Sequence, residues 1–424
     1  MMRLKQIQKL VILSVIFLIP LQTVYILHER FLGNFKWQYG TELLYLTQLL
    51  VGLALLLQLV FWAVKKQPLQ ISVERLFNRQ HTNKKILVVL IAWALLSISW
   101  AHNQELAWYY FVMLALAIAF GIVVRESKIN IRWVAWVFLA SGVVQSVLAM
   151  WQWGSQRIGS NVWLGVSEQL PATLGTIVIQ TADERLLRAY GTFTHPNILG
   201  GFLVVVLLAA VWLVITERTK FKLIALITIP IIIFGLGYSF SRSAWIAAII
   251  GILVMTALEF KRNKVIRSQV LKASGIVLIS SIAFALLYWP LITIRVQAQT
   301  PLETRSVTER LSAVDQSIQI IKRHPIMGVG IGNYTNELSR LNPNQPAYQY
   351  QPVHNAWLLV LAELGIVGFI LFVSLFVSSF LKSQTQPLVV AILISLFVAS
   401  LFDHYLWTSW SGLVLVFGLW QVKD

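Results

Sequence analysis

The chain has 424 residues, 57% of them hydrophobic and only 12% charged, with a formal net charge of +17 and no cysteine. A water-soluble globule would carry roughly twice that charged fraction, and the lack of cysteine excludes disulfides and thiol chemistry. The positive charge sits in short loops between apolar runs, as membrane insertion requires, which argues against a nucleic-acid surface.

The expected fold is all-α, a polytopic membrane protein. Twelve apolar runs are read as spans, near 10–27, 41–64, 86–101, 106–124, 133–151, 197–215, 223–240, 243–260, 273–291, 355–381, 387–403 and 406–422. The first follows Arg3, Lys5 and Lys9 like a signal peptide, but it lacks a small-x-small cleavage site and is read as a retained span. Several of the 17 tryptophans stand near run ends, among them Trp37, Trp151, Trp289, Trp407 and Trp410, which fits interfacial belts. With the N-terminus inside, alternate loops collect 22 of the 34 Lys/Arg, including the segment 65–85. Six of the other 12 lie in the long segment 292–354, where the charge bias is weak, so both termini are expected in the cytoplasm.

Two long outer loops, 152–196 and 292–354, interrupt this rhythm, and long loops are commonly functional. In SVTERLSAVDQSIQIIKRH, Val307, Leu311, Val314, Ile318 and Ile321 recur at spacings of 4, 3, 4 and 3. That pattern predicts an amphipathic helix at the membrane surface or over the bundle. It runs into PIMGVGIGNY, where Pro325, Gly328, Gly330 and Gly332 predict a tight turn.

Four motifs fall on the outer face under this topology. RAYGTFTHPNILGG (188–201) places Pro196 in the first turn of a helix capped by Thr194 or His195. An outward helix start suits a phosphate, although an ordinary capped span reads the same way. YSFSRSAW (238–245) puts Arg242 at the outer end of a helical hairpin, either as a functional cation or as a snorkelling one. Arg310 flanks the apolar stripe of the amphipathic helix and points into a cavity beneath it or into solvent. VHNAWLLVLAELGIVGF opens with His354-Asn355 at a helix start. Histidine is the usual general base near neutrality, and Asn355 can orient it or cap the helix. Glu363 lies eight residues beyond Asn355, about 12 Å deeper, where it should be hydrogen-bonded within the bundle. Two arginines, a histidine and a phosphate-ready helix end on one face suit a lipid diphosphate. Asp403 and Glu168 read as isolated acids, so no metal site is expected and arginine would neutralise the diphosphate. No Walker loop is present, and no other cofactor is expected.

These same stretches, GTFTHPN, SFSRSAW, the arginine-bearing helix into HPIMGVGIGNY, and VHNAWLLVLAELGIVGF, resemble the O-antigen ligase and polymerase superfamily from about 185 to 381. The resemblance divides the chain into N-terminal spans with the first outer loop (1–184), a catalytic core (185–381) and a C-terminal hairpin (382–424). It implies a metal-independent, inverting glycosyltransferase on the outer face of the bacterial inner membrane. The donor would be a glycan on undecaprenyl diphosphate; the acceptor would be lipid A core, a growing polysaccharide or another hydroxyl. By motif position Arg242 and Arg310 correspond to diphosphate-binding arginines and His354 to the catalytic histidine. His195, Asn197, Asn355 and Glu363 are supporting positions. A repeat-unit polymerase shares these motifs and stays open. A transporter is disfavoured, because no paired inverted repeats or matching broken spans are evident.

Overall fold

The computed structural model describes residues 2–64, 82–297, 300–343 and 345–419. Most of the basic segment 65–85 and the last five residues lie outside that set. The chain begins with helix α1 (Met2–Phe17) and an antiparallel hairpin region, β1 (Val24–His28), β2 (Phe31–Leu32), β3 (Phe35–Lys36) and β4 (Glu42–Tyr45). Helices α2 (Leu46–Val64), α3 (Thr82–Leu96), α4 (Gln104–Ser127) and α5 (Ile131–Ser155) follow, then a small hairpin, β5 (Val178–Gln180) and β6 (Arg185–Leu187). The second half comprises α6 (Pro196–Thr216), α7 (Thr219–Tyr238), α8 (Arg242–Phe260), α9 (Lys264–Leu287), α10 (Trp289–Gln297), α11 (Pro301–Arg323) and α12 (Tyr334–Leu341). It ends with α13 (Ala356–Lys382), α14 (Pro387–Ser400), α15 (Tyr405–Thr408) and α16 (Trp410–Leu419).

Among the described residues, eight helices (α2, α4 to α9 and α13) are long and apolar enough to cross a membrane. The other four expected spans hold the shorter helices α1, α3, α14 and α15–α16. The first expected span, 10–27, needs correction. Helix α1 stops at Phe17, ahead of Pro20, which cannot supply an amide to a continuing helix. The β-branched and aromatic run after it pairs as a strand, with Val24 opposite Tyr45.

Helix α6 is apolar on every side and is buried accordingly, packed among α5, α7, α8, α9 and α14. Its N-terminus therefore fixes the position of everything at that end of the bundle. The tryptophan expectation holds only in part: Trp151 and Trp289 are exposed, whereas Trp37, Trp407 and Trp410 are buried inside the protein.

The amphipathic helix is present as α11, and its apolar stripe is divided, with Val314 and Ile321 packed against the core. Val307, Leu311 and Ile318 are exposed, while Glu303, Ser317 and Ile320 are buried against the protein. Helix α11 thus turns a mixed face inward, with Glu303 and Ser317 beside Ile320, and leaves an apolar edge exposed.

Candidate functional site

Several helix ends and turns converge at one end of the bundle. His195 caps α6, its Nδ1 accepting from the Asn197 amide at 3.0 Å. Asn197 then bridges two buried charges. Its Oδ1 accepts from Arg188 Nη2 at 2.8 Å, and its Nδ2 donates to Asp403 Oδ2 at 2.7 Å. Arg188 is held from its other side by donating from Nε to the Ser239 carbonyl at 2.8 Å. Asp403, in the turn between α14 and α15, also accepts from the His404 amide at 2.8 Å. Its Oδ1 lies 3.9 Å from His354 Nδ1, an ion-pair distance too long for a hydrogen bond.

Arg188, Asn197 and Asp403 are all buried, whereas the His354 side chain keeps 27% of its surface exposed. His354 is therefore the end of this chain that a substrate can reach. Its ring lies 5.3 Å from that of His404, which meets Tyr39 edge-on at 5.7 Å and bonds Thr408 Oγ1 through Nδ1 at 2.8 Å. Burial pushes the His195 imidazole down to about 3 and that of His404 to about 4, so both stay neutral and are poor bases.

A second cluster gathers the arginines. Arg242 opens α8 and donates from Nη1 to the Arg295 carbonyl at 2.8 Å, while its Nη2 lies 3.6 Å from Glu303 Oε2. Arg295 is buried, forms an ion pair with Glu303, and donates to the Phe240 carbonyl from Nε and Nη2 at 3.3 and 3.1 Å. Phe240 itself stands in the left-handed region (φ 44°), uncommon for a non-glycine residue and a form of strain that collects at functional sites. Arg310 projects from the inward face of α11. Among the described residues it has no hydrogen-bond acceptor or ion-pair partner, and burial draws its guanidinium below its ordinary range against the attraction of Asp403. Arg188, Arg242, Arg295 and Arg310 face two carboxylates, Glu303 and Asp403, in one electrostatic neighbourhood. Four cations and two anions leave two positive charges uncompensated.

Residues 229–373, from α7 into α13, match the family model described as O-antigen ligase. Over that stretch, about a third of the chain, the sequence is similar to the O-antigen ligase family. No curated protein matches it. The matched O-antigen ligase segment contains Arg242, Arg295, Glu303, Arg310, His354 and Asn355. Arg188, His195, Asn197 and Asp403 come to the same place from outside it.

Within the O-antigen ligase segment, α13 is not the uninterrupted span that its sequence suggests. Gly365 breaks it, with φ 64° and ψ −172°. The glycine-rich turn 325–333 inserts at the break. Val329 and Gly330 amides donate to the Ala362 and Glu363 carbonyls at 3.0 and 2.9 Å, and the Ile366 amide donates to Pro325 O at 3.0 Å. Trp93 Nε1 donates to the Leu364 carbonyl at 2.8 Å. A Cβ on Gly365 would lie 2.1 Å from Ile326 O, so only glycine fits. Glu363, just above the break, accepts from Trp407 Nε1 at 2.8 Å and from the Gly332 and Tyr334 amides. It is a clamp on the inserted turn. Asn355 is the cap, accepting from the Trp357 and Leu358 amides and donating to the Leu401 carbonyl. His354 stands one residue ahead of it.

Asp403 is the main correction to the acid assignments: it lies at the centre of the site, whereas Glu168 pairs with Arg157 on an exposed loop. The donor atoms of His354, Asp403 and His404 lie within 4.8 Å of one another, a spacing that could hold a cation. Arg188, Arg295 and Glu303 were likewise not singled out in the sequence. Arg188 opens the very motif that carries His195, and a carboxylate at the edge of an apolar run is itself a signal of function.

Proposed function

We propose that the chain is a membrane glycosyltransferase of the O-antigen ligase type, moving a glycan from a polyprenyl diphosphate carrier to an acceptor hydroxyl. The observation that carries this reading is the unpartnered guanidinium of Arg310, facing inward beside Arg242 at the end of the bundle where His354 is exposed. Two uncompensated positive charges match the two negative charges of a diphosphate diester, and arginine suits its oxygens because the guanidinium fork donates in pairs.

His354 Nε2 takes the proton of the acceptor hydroxyl as its oxygen attacks the anomeric carbon. The bond from that carbon to the diphosphate oxygen breaks on the opposite side, and the electron pair leaves with the diphosphate. One displacement inverts the anomeric centre. Asp403, 3.9 Å from Nδ1, stabilises the imidazolium that forms, and Asn197 with Arg188 holds Asp403 in place. Arg242 and Arg310 neutralise the departing diphosphate, a task for fixed cations in a site of low dielectric. The basic loops at the opposite end of the bundle support a site on the outer face of a bacterial inner membrane, with both termini in the cytoplasm.

The test is transfer by the purified protein from a polyprenyl-diphosphate-linked glycan. Glycan appearing on lipid A core supports a ligase; a longer chain on the same carrier lipid supports the polymerase alternative. His354→Gln should bind donor yet lose transfer by at least the ~10² of a general base. Substantial turnover by that variant would reject the mechanism.

A further inference from the structure

The diphosphate-binding reading leaves Glu303 without a role. It is buried and carries a full carboxylate into the arginine cluster from the inward face of α11, seven residues before Arg310. One oxygen, Oε1, is engaged by Arg295. The other, Oε2, lies 3.6 Å from Arg242 Nη2 and has no hydrogen-bond partner. An anion in that position competes with any phosphate for the same guanidiniums, which an architecture built only to hold a diphosphate would avoid. Packing alone does not account for it either, because a buried carboxylate with an unsatisfied oxygen costs stability.

The chemistry of the transfer supplies a reason. The donor is a diphosphate diester. Once the glycosidic bond breaks, the leaving group is a monoester with one more ionisable oxygen, so it carries more negative charge than the donor did. Fixed arginines would therefore hold the product more tightly than the substrate.

We propose that Glu303 is an internal anion that shares Arg242 with the bound diphosphate and so speeds release of the polyprenyl diphosphate product. It is a positioning and release residue and touches no reacting atom. The assignment rests on the diphosphate reading of Arg242 and Arg310, and the test separates the two.

The measurement is calorimetric titration of the purified full chain in detergent with farnesyl diphosphate, a short polyprenyl diphosphate, alongside steady-state transfer. Glu303→Gln keeps the side-chain shape and an acceptor for Arg295. Removing one like charge a few ångströms from the ligand should tighten farnesyl diphosphate by at least about tenfold, and kcat and KM for transfer should fall together as product release slows. Glu303→Asp keeps the charge but withdraws it from Arg242, and should shift affinity in the same direction by less. Unchanged or weaker binding by both variants, with wild-type binding intact, would overturn the role of Glu303 alone. Absence of binding in wild type and variants alike would overturn the diphosphate site together with it.

Discussion

Replacing Asp403 by asparagine tests how His354 is supported. The carboxylate lies 3.9 Å from His354 Nδ1, where an opposite unit charge is worth about 4 kcal/mol at an effective dielectric of ~20. Because the imidazole is partly open to solvent, about 2–4 kcal/mol of that should act on the imidazolium formed in the transition state. At 1.36 kcal/mol per decade, kcat should fall roughly 30- to 1000-fold. The single variant has a second effect: an amide at 403 cannot accept from both Asn197 Nδ2 and the His404 amide, so one of these donors meets its NH2. The exchange Asn197→Asp with Asp403→Asn removes that conflict. The carboxylate then stands at position 197, where it accepts from both Arg188 and the amide at position 403, while the negative charge moves to the far side of the hydrogen bond from His354. The assay is kcat and KM for transfer with purified variants, beside thermal stability in detergent. The exchange should recover stability without recovering kcat. Full recovery of kcat would show that Asp403 serves only to tie α6 to the α14–α15 turn, and the electrostatic account of His354 would be refuted.

Three further outcomes are expected. Arg310→Lys should impair transfer nearly as severely as Arg310→Ala, because lysine keeps the charge and loses the planar fork; near-normal turnover would reduce Arg310 to a diffuse charge. Transfer should persist in excess EDTA, and loss on chelation with rescue by Mg²⁺ or Zn²⁺ would turn the His354, Asp403 and His404 donors into a metal centre. In the cysteine-free background, Gln349→Cys should react with an impermeant maleimide from outside and Lys261→Cys should not; the reverse pattern would put the site in the cytoplasm. Ser72, in a loop expected on the cytoplasmic side, lies outside the described residues.

The helical architecture was legible because lipid imposes a length and a polarity on every span. Arg242 and His354 drew notice as charged or titratable residues at the edge of apolar runs and Arg310 as a cation beside the stripe of α11, and the structure brings all three to one end of the bundle. Asp403 was not, since it is lone in sequence and acquires meaning only when Asn197, 206 residues away, bonds to it. Glu303 and Arg295 were hidden for the same reason, as halves of a pair formed across a loop. The break at Gly365 could not be read from hydropathy, because LAELGIVGF is apolar on both sides of it. It becomes visible only when the amides of 325–333 arrive to use its carbonyls. The stripe of α11 was legible as a helix, but not which of its residues the protein would cover: Val314 and Ile321 pack inward while Val307, Leu311 and Ile318 stay exposed.

That break bears on biogenesis. The two halves of α13 are completed only against helices already in place, because the carbonyl of Leu364 is met by Trp93, synthesised 271 residues earlier. The inserted turn is itself moored to the early helices, through the Ile331 amide on Ser97 Oγ and the Asn333 side chain on the backbone of Asn103. An expression fragment beginning near residue 185 would carry every recognisable motif and still lack these moorings. Its glycine-rich turn would keep its bonds to α13 but lose those to Ser97 and Asn103, and its last long helix would enter the bilayer with the Leu364 carbonyl open. The early helices, where the sequence carries no motif, act as the jig against which the candidate site is assembled.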